Sequence, residues 1–218
     1  MSWTLRDETA FFHATQGSLE IRLGDNGPLV AMSSLTDRST ANSLSVQLTP
    51  YDRTGSASET APAKLRLGDA YVRQSDLIAV YPELPPCRFG YQVDVKCLSE
   101  ADDCMRTEIW ISVQTSLLDA HPQIGVKVRN EELESIGTGI WVSKGRRLAI
   151  LVHPLDQSDC RLDSTSGPFG LQVFGRFMEK GVIRRMRFRL IASNSSQDNP
   201  FWMKRMEEFS DSPLPLTT

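Results

Sequence analysis

Residues 89–93 read FGYQV, and residues 169–173 read FGLQV, so the two stretches are identical at four of five positions. An apolar run that ends at proline precedes each of them, LIAVYP at 77–82 and AILVHP at 149–154. Similar segments that recur in the same order are the signature of an internal repeat. The repeated stretch therefore predicts that the centre of the chain contains two diverged copies of one strand-rich unit.

The match continues downstream of the repeated stretch. Residues 108–116 (EIWISVQTS) can be aligned with residues 185–193 (RMRFRLIAS), and their apolar positions coincide: Ile109, Ile111 and Val113 with Met186, Phe188 and Leu190. Because a slip of one residue would exchange the two faces of a strand, a shared phase favours duplication. We interpret residues 64–130 and 131–193 as the two repeats. The alternative is that any two antiparallel meanders share alternation and turn residues.

The N-terminal part of the chain also alternates between apolar and polar residues. Residues 18–23 and 43–48 show this pattern, which predicts strands. We expect residues 1–52 to form N-terminal strands that pack on the repeats. Residues 53–63 (RTGSASETAPA) are small and polar, which predicts a flexible loop or linker.

Three or four strands cannot bury one face alone, so the two repeats should pack or pair with each other. The predicted fold class is all-β, an antiparallel β-sandwich or one large sheet. Residues 194–218 are predicted to contain a short helix, starting near Asn199-Pro200, and a disordered tail from Ser210. The apolar side of this helix consists of Phe201, Trp202, Met206 and Phe209. It either docks on the chain itself, which is the default expectation, or forms an interface with another chain.

Composition places the chain of 218 residues among ordinary globular proteins, with 40% hydrophobic residues, 23% charged residues and a net charge of −3. A general nucleic-acid binder would be more basic. The N-terminus shows no secretory signal and no segment is apolar enough to span a membrane, so a cytoplasmic location is expected. The four cysteines, at positions Cys87, Cys97, Cys104 and Cys160, are therefore expected to be reduced. Their spacing predicts no metal site.

The phase of the aligned strands assigns polar residues to the opposite face. If Ile109 points into the core, Glu108 and Trp110 lie on the outer face. The same phase places three arginines on the equivalent face of the second repeat: Arg185, Arg187 and Arg189. Alternating guanidinium groups suit carboxylate or phosphate, which predicts a face for an anion or an acidic partner. The alternative is an ordinary sheet that faces water. Trp110 is interpreted separately: it either stacks on a sugar or base, or packs against neighbouring strands.

Candidates for catalysis are few. His121 and His153 each precede a proline at the end of a segment, where a general base could lie. Neither has the spacing of a metal site or a nucleophile motif. The acidic pairs at 102–103 and 131–132 lie in hydrophilic turns, and the glycines at 137–139 precede a strand rather than a helix.

Two functions follow from these observations. The leading hypothesis is a non-catalytic binding or assembly protein that uses no cofactor and presents a sheet face, loop end or C-terminal helix. Its partner would be a protein, the same chain or another, or an anionic ligand, and neither a membrane nor nucleic acid is expected. The alternative is a carbohydrate-active or other small-molecule enzyme, with its site between the repeats and with Trp110 or Trp141 stacking on sugar. Only the enzyme requires titratable side chains that converge in a pocket.

Overall fold

The computed structural model describes most of the chain: residues 2–25, 27–34, 43–53, 60–62, 66–85, 87–98, 104–129, 131–163 and 169–212. Within these ranges the strands form two sheets in which every neighbouring pair is antiparallel. The prediction of an all-β fold is confirmed, and the two-sheet arrangement fits a sandwich.

Sheet A contains nine strands: β1 (Trp3–Arg6), β2 (Thr9–His13), β3 (Gly17–Gly24), β4 (Gly27–Ser34), β5 (Ser43–Arg53), β6 (Thr60–Pro62), β11 (Gln123–Val128), β15 (Cys160–Leu162) and β16 (Phe169–Phe174). Their order is β1-β2-β3-β4-β5-β11-β16-β15, and β6 pairs with β5.

Sheet B contains eight strands: β7 (Asp69–Arg73), β8 (Asp76–Tyr81), β9 (Gly90–Leu98), β10 (Cys104–Gln114), β12 (Leu133–Gly137), β13 (Ile140–Ser143), β14 (Leu148–Val152) and β17 (Ile183–Ser193). Their order is β12-β13-β14-β17-β10-β9-β8-β7. A 3₁₀ helix (Pro154–Asp159) follows β14, and one α-helix, α1 (Asn199–Ser210), follows β17.

The inner faces of the two sheets share one apolar core. In sheet A the alternation of β3 buries Leu19, Ile21 and Leu23 completely, as its period-2 pattern predicts. In sheet B the six apolar residues of the aligned strands all lie in this core, so their predicted inward phase is correct: Ile109, Ile111, Val113, Met186, Phe188 and Leu190.

The two strands aligned in the sequence are neighbours at the centre of sheet B. β10 and β17 pair along their whole length, from Cys104↔Ser193 to Gln114↔Ile183, and three further strands continue the sheet on either side. The FGxQV stretches are not equivalent in this arrangement. Residues 90–93 belong to β9 in sheet B, whereas residues 169–173 belong to β16 in sheet A. The duplication stays a prediction.

The N-terminal strands join the rest of the chain through the pairing of β5 with β11. The predicted loop at 53–63 is wrong at both ends, because Arg53 ends β5 and residues 60–62 form β6 against it. β4 pairs only with residues 43–47 of β5, and β6 satisfies backbone groups farther along that strand. Residues 54–59 and 63 lie outside the described residues.

Helix α1 docks on the outer face of sheet B. Trp202 and Phe209 are completely buried there in a second apolar cluster, formed with residues of β13, β14 and β17: Ile140, Val142, Ala149, Leu151 and Ile191. The default expectation of docking within the chain is confirmed, because neither ring has surface left for a second chain. Phe201 and Met206 are partly buried and pack against this cluster.

The helix begins at Asn199, as predicted, and only the prediction for its C-terminal end needs correction. The side chain of Asp198 accepts the backbone N–H of Phe201 at 3.0 Å, and Pro200 occupies the first turn. Ser210 belongs to the helix rather than to a disordered tail, and residues 213–218 lie outside the described residues.

The docking of α1 predicts unequal effects for two neighbouring side chains. Trp202→Ala should lower the free energy of unfolding by about 3–5 kcal/mol, because it leaves a cavity beneath the helix. Met203→Ala is the matched control and should cost less than about 1 kcal/mol, since Met203 is 45% exposed. Urea unfolding measures both values, and equal losses would contradict the docked position of α1.

Candidate functional site

The register of sheet B brings the predicted face residues together on one surface. β10 and β17 place Glu108 opposite Arg189, Trp110 opposite Arg187, and Ser112 opposite Arg185. The tryptophan and glutamate were expected on one repeat and the arginines on the equivalent face of the other. They lie instead on the same face of the same sheet, as direct cross-strand neighbours.

The rows continue across β9, because its outward residues pair with those of β10. Lys96 lies opposite Glu108, Asp94 opposite Trp110, and Gln92 opposite Ser112. Charges of opposite sign therefore alternate in the row Lys96–Glu108–Arg189, which favours this register.

Most of the predicted face is not exposed to water, contrary to the interpretation as a water-facing sheet. Arg187 and Arg189 are 3% and 4% exposed, and Glu108 and Trp110 are also buried. The reason is that the 3₁₀ helix and α1 contact this part of the face, an arrangement that strand alternation cannot reveal. Arg185, at the start of β17, remains exposed.

The two buried arginines are neutralised by acidic partners. Arg189 forms a salt bridge with Glu108, and its guanidinium lies 4.4 Å from the centre of the Phe209 ring of α1. The Nε of Arg187 donates to Oδ2 of Asp156 at 3.3 Å, and its backbone N–H donates to the same oxygen at 3.0 Å. Buried charges require such partners, because an unpaired charge in the interior is strongly destabilising.

A second set of charges holds α1 to the sheet. Glu208 accepts from Nη1 of Arg106 on β10 at 3.1 Å and from Nη1 of Arg205 on α1 at 2.7 Å. Burial, followed by the positive charge of Arg205, lowers the pKa of Arg106 to about 10. Arg106 is still protonated at neutral pH, so Glu208 bridges two cations.

His153 lies inside this network rather than at an accessible site. Its Nδ1 accepts the backbone N–H of Leu155 at 3.2 Å and lies 2.7 Å from Nη2 of Arg187, and its ring meets the edge of Phe209. Burial and then the charge of Arg187 lower its pKa, against the opposing effects of Asp156, Glu108 and the Ser210 backbone. The imidazole is therefore neutral at pH 7 and acts as a hydrogen-bond acceptor.

Trp110 does not offer a stacking platform. It is 9% exposed, the guanidinium of Arg187 lies 5.3 Å from its ring centre, and its Nε1 points to Glu108 at 3.4 Å. The prediction of a sugar or base platform at this residue is therefore wrong. Trp141 packs against the ring of Phe169, with 5.5 Å between ring centres.

The uncovered part of the outer face contains a small cavity of about 100 Å³. Side chains from four strands border it on the outer face: Val80, Gln92, Ser112, Gln114, Ile183 and Arg185. Asp94 lies in the adjoining row and receives a hydrogen bond from Gln92 at 2.6 Å. Burial raises the pKa of Asp94, while this hydrogen bond and the charges of Arg73 and Arg185 oppose the rise.

The titratable residues named for the enzyme alternative lie in separate places. His121 pairs with Asp119 at 3.3 Å on the surface, whereas His153 is buried beneath α1. Glu132 forms an exposed salt bridge with Lys144, and residues 102–103 lie outside the described residues. Those of these groups that the structure describes do not converge in one pocket.

Sequence reasoning missed the acidic and basic residues that complete the buried network. They are Arg106, Asp156, Arg205 and Glu208. The only available signal was the position of Arg205 on the apolar side of the predicted helix. The others become partners through contacts between distant segments, which local patterns do not encode.

No protein-family model matches the chain, and no curated protein matches it. Across the described ranges, no group of three or more His, Cys, Asp or Glu side chains could hold a metal ion. No helix in those ranges is long and apolar enough to cross a membrane.

The environment of His153 predicts a pH dependence of stability. The pKa of its imidazole is lower in the folded state than the ordinary value of 6.5 that it regains on unfolding. Protonation below about pH 6.5 therefore favours the unfolded state, so this contribution to stability is present at pH 7 and is lost towards pH 5. Urea unfolding at both pH values measures the loss.

The variant His153→Gln should lose less stability between pH 7 and pH 5 than the unmodified chain. His13→Gln is the control, because that side chain is exposed at the end of β2 and its replacement should leave the wild-type difference unchanged. A wild-type difference in His153→Gln would contradict the assignment of a buried, neutral imidazole.

Proposed function

We propose that the chain is a non-catalytic binding protein, and that it binds an anionic group of its partner at the cavity beside Arg185. The observation that supports this function is that three alternating arginines on β17 differ in burial and in their acidic partners. Arg187 and Arg189 are buried against Asp156 and Glu108, whereas Arg185 is exposed. Within the described part of the chain, Arg185 makes no salt bridge.

The surroundings of Arg185 suit a carboxylate or phosphate. A guanidinium group presents a planar fork of donors that binds either anion with two parallel hydrogen bonds. The hydroxyl of Ser112 and the amide of Gln114 border the same cavity and supply further donors. Asp94 is near enough for the charge of Arg185 to oppose the rise in its pKa.

The same surroundings favour binding over general acid–base catalysis. Asp94 is the titratable carboxyl beside the cavity, and its raised pKa alone would suit a catalytic base. Its charged neighbour at the cavity is Arg185, and a guanidinium does not exchange its proton near neutral pH. The arrangement therefore holds an anion better than it transfers a proton.

The proposal is tested by titrating isotope-labelled protein with succinate and, separately, with inorganic phosphate. Amide signals of residues 90–92, 112–114 and 183–185 should shift together. Arg185→Glu should weaken binding at least about tenfold, because it replaces an attraction by a repulsion.

Arg161→Glu is the matched control, since Arg161 is an exposed arginine on β15 in the other sheet. Its affinity for both probes should equal that of the unmodified chain. Shifts that are absent from these three segments, or that survive Arg185→Glu, would exclude the proposed site.

A further inference from the structure

Three loops meet at one end of the sandwich, next to the Arg185 cavity. The hydroxyl of Thr115 donates to the carbonyl of Arg88 at 2.7 Å, and the N–H of Gly181 donates to the carbonyl of Thr115 at 3.2 Å. The N–H of Ser116 donates to Glu83 at 2.7 Å. We call this region the loop end and define it as residues 82–85, 87–89, 115–122 and 175–185.

Apolar side chains are exposed at the loop end to an unusual degree. Among the described residues it holds six of the eleven exposed large apolar side chains: Leu84, Leu117, Leu118, Phe177, Val182 and Ile183. Leu118 is 79% exposed and Phe177 is 46% exposed. Backbone hydrogen bonds in both directions between Ala120 and Met178, at 3.3 and 2.8 Å, hold their two loops together. Clustered exposed apolar surface of this kind marks an interaction site.

The loop end is basic although the chain as a whole is acidic. It carries five basic residues against three acidic ones, whereas the net charge of the chain is −3. Asp119 pairs with His121 and Glu83 accepts from Ser116, while one of the five basic residues, Arg176, pairs with Asp159 outside the loop end. Three basic residues lie next to Val182 and Ile183 in the sequence, namely Lys180, Arg184 and Arg185. None of them forms a salt bridge within the described ranges.

We propose that the loop end docks on an anionic membrane surface. Leu118 and Phe177 enter the interface between headgroups and acyl chains, while Lys180 and Arg184 attract the anionic lipids around them. Arg185 contacts a headgroup phosphate or carboxylate, and this one contact rests on the proposed function. The expectation that no membrane is a partner came from the lack of a spanning segment, which does not bear on docking at the surface.

Charge and exposure favour a bilayer over a second copy of the chain. Two loop ends that face each other would bring two basic patches together, whereas an anionic bilayer complements the patch. The acidic remainder of the chain would also be repelled by that bilayer, so the loop end is the part directed towards it. A bilayer can accept projecting side chains such as Leu118 without a matching groove.

The full chain should sediment with phosphatidylcholine vesicles only when they contain phosphatidylserine, and salt should weaken the binding. The double variant L118S/F177S should bind at least about tenfold more weakly, because it removes the inserted apolar surface. L162S/M203S is its matched control, since Leu162 and Met203 are 66% and 45% exposed outside the loop end. That control should bind like the unmodified chain.

Charge is tested in the same assay. K180E should weaken binding about tenfold, whereas K204E, which alters an exposed lysine of α1, should have a smaller effect. Circular dichroism and thermal unfolding confirm that each variant is folded. Loss of binding confined to L118S/F177S and K180E supports the proposal.

Two other results would overturn it. Vesicle binding that is independent of phosphatidylserine or of L118S/F177S excludes docking through the loop end. Failure to bind vesicles, together with a dimer in sedimentation equilibrium that L118S/F177S converts to a monomer, assigns the surface to a second copy. In either case, amide shifts with succinate or phosphate that Arg185→Glu abolishes would leave the proposed anion site intact.

Discussion

The pairing of buried charges between sheet B and the segments that cover it is the constraint on which the outer face depends. Arg187 and Arg189 occupy alternate positions of a central strand, where apolar residues would be easier to bury. Asp156 from the 3₁₀ helix and Glu108 from β10 neutralise them. Removal of either acid would leave an unpaired interior charge. Glu108 meets Arg189 within the sheet, whereas the 3₁₀ helix must lie where Asp156 reaches Arg187.

This constraint divides one sheet surface into two chemically different parts. Over β13, β14 and β17, Trp202 and Phe209 of α1 bury the apolar part of the face. Over β9 and the adjoining ends of β10 and β17, the face keeps polar side chains and a cavity that Arg185 borders. A regular ladder of arginines thus yields two structural groups and one group that is available to a ligand. The loop end adjoins the available part, which places exposed apolar and basic residues beside the cavity.

Much of the fold could be predicted from the sequence because strand alternation is local information. The inward phase of Ile109 and Phe188, the strand around Leu19 and the short helix after Asp198 all follow from periodicity and turn chemistry. The direct pairing of β10 with β17 does not, because any strands with that phase could be neighbours. The repeated FGxQV stretch shows the same limit, since similar local sequences entered different sheets.

The candidate site was predictable only in part. Alternation correctly placed Glu108, Trp110 and the three arginines on the outer side of their strands. It could not show that α1 packs on that side of the sheet. Nor could it show that Asp156, in the segment after β14, contacts Arg187. These contacts join residues that are distant in the chain. They convert four of the five predicted face residues from exposed to buried groups and leave Arg185 as the accessible one.

The division of the arginine ladder is tested most directly by chemical modification of the native chain with phenylglyoxal, followed by peptide mass spectrometry. Arg185 should be modified rapidly, while Arg187 and Arg189 should be protected until the chain is unfolded. Similar rates at all three residues, or protection of Arg185, would contradict the account, because the outer face would then not be divided between a covered and an open part.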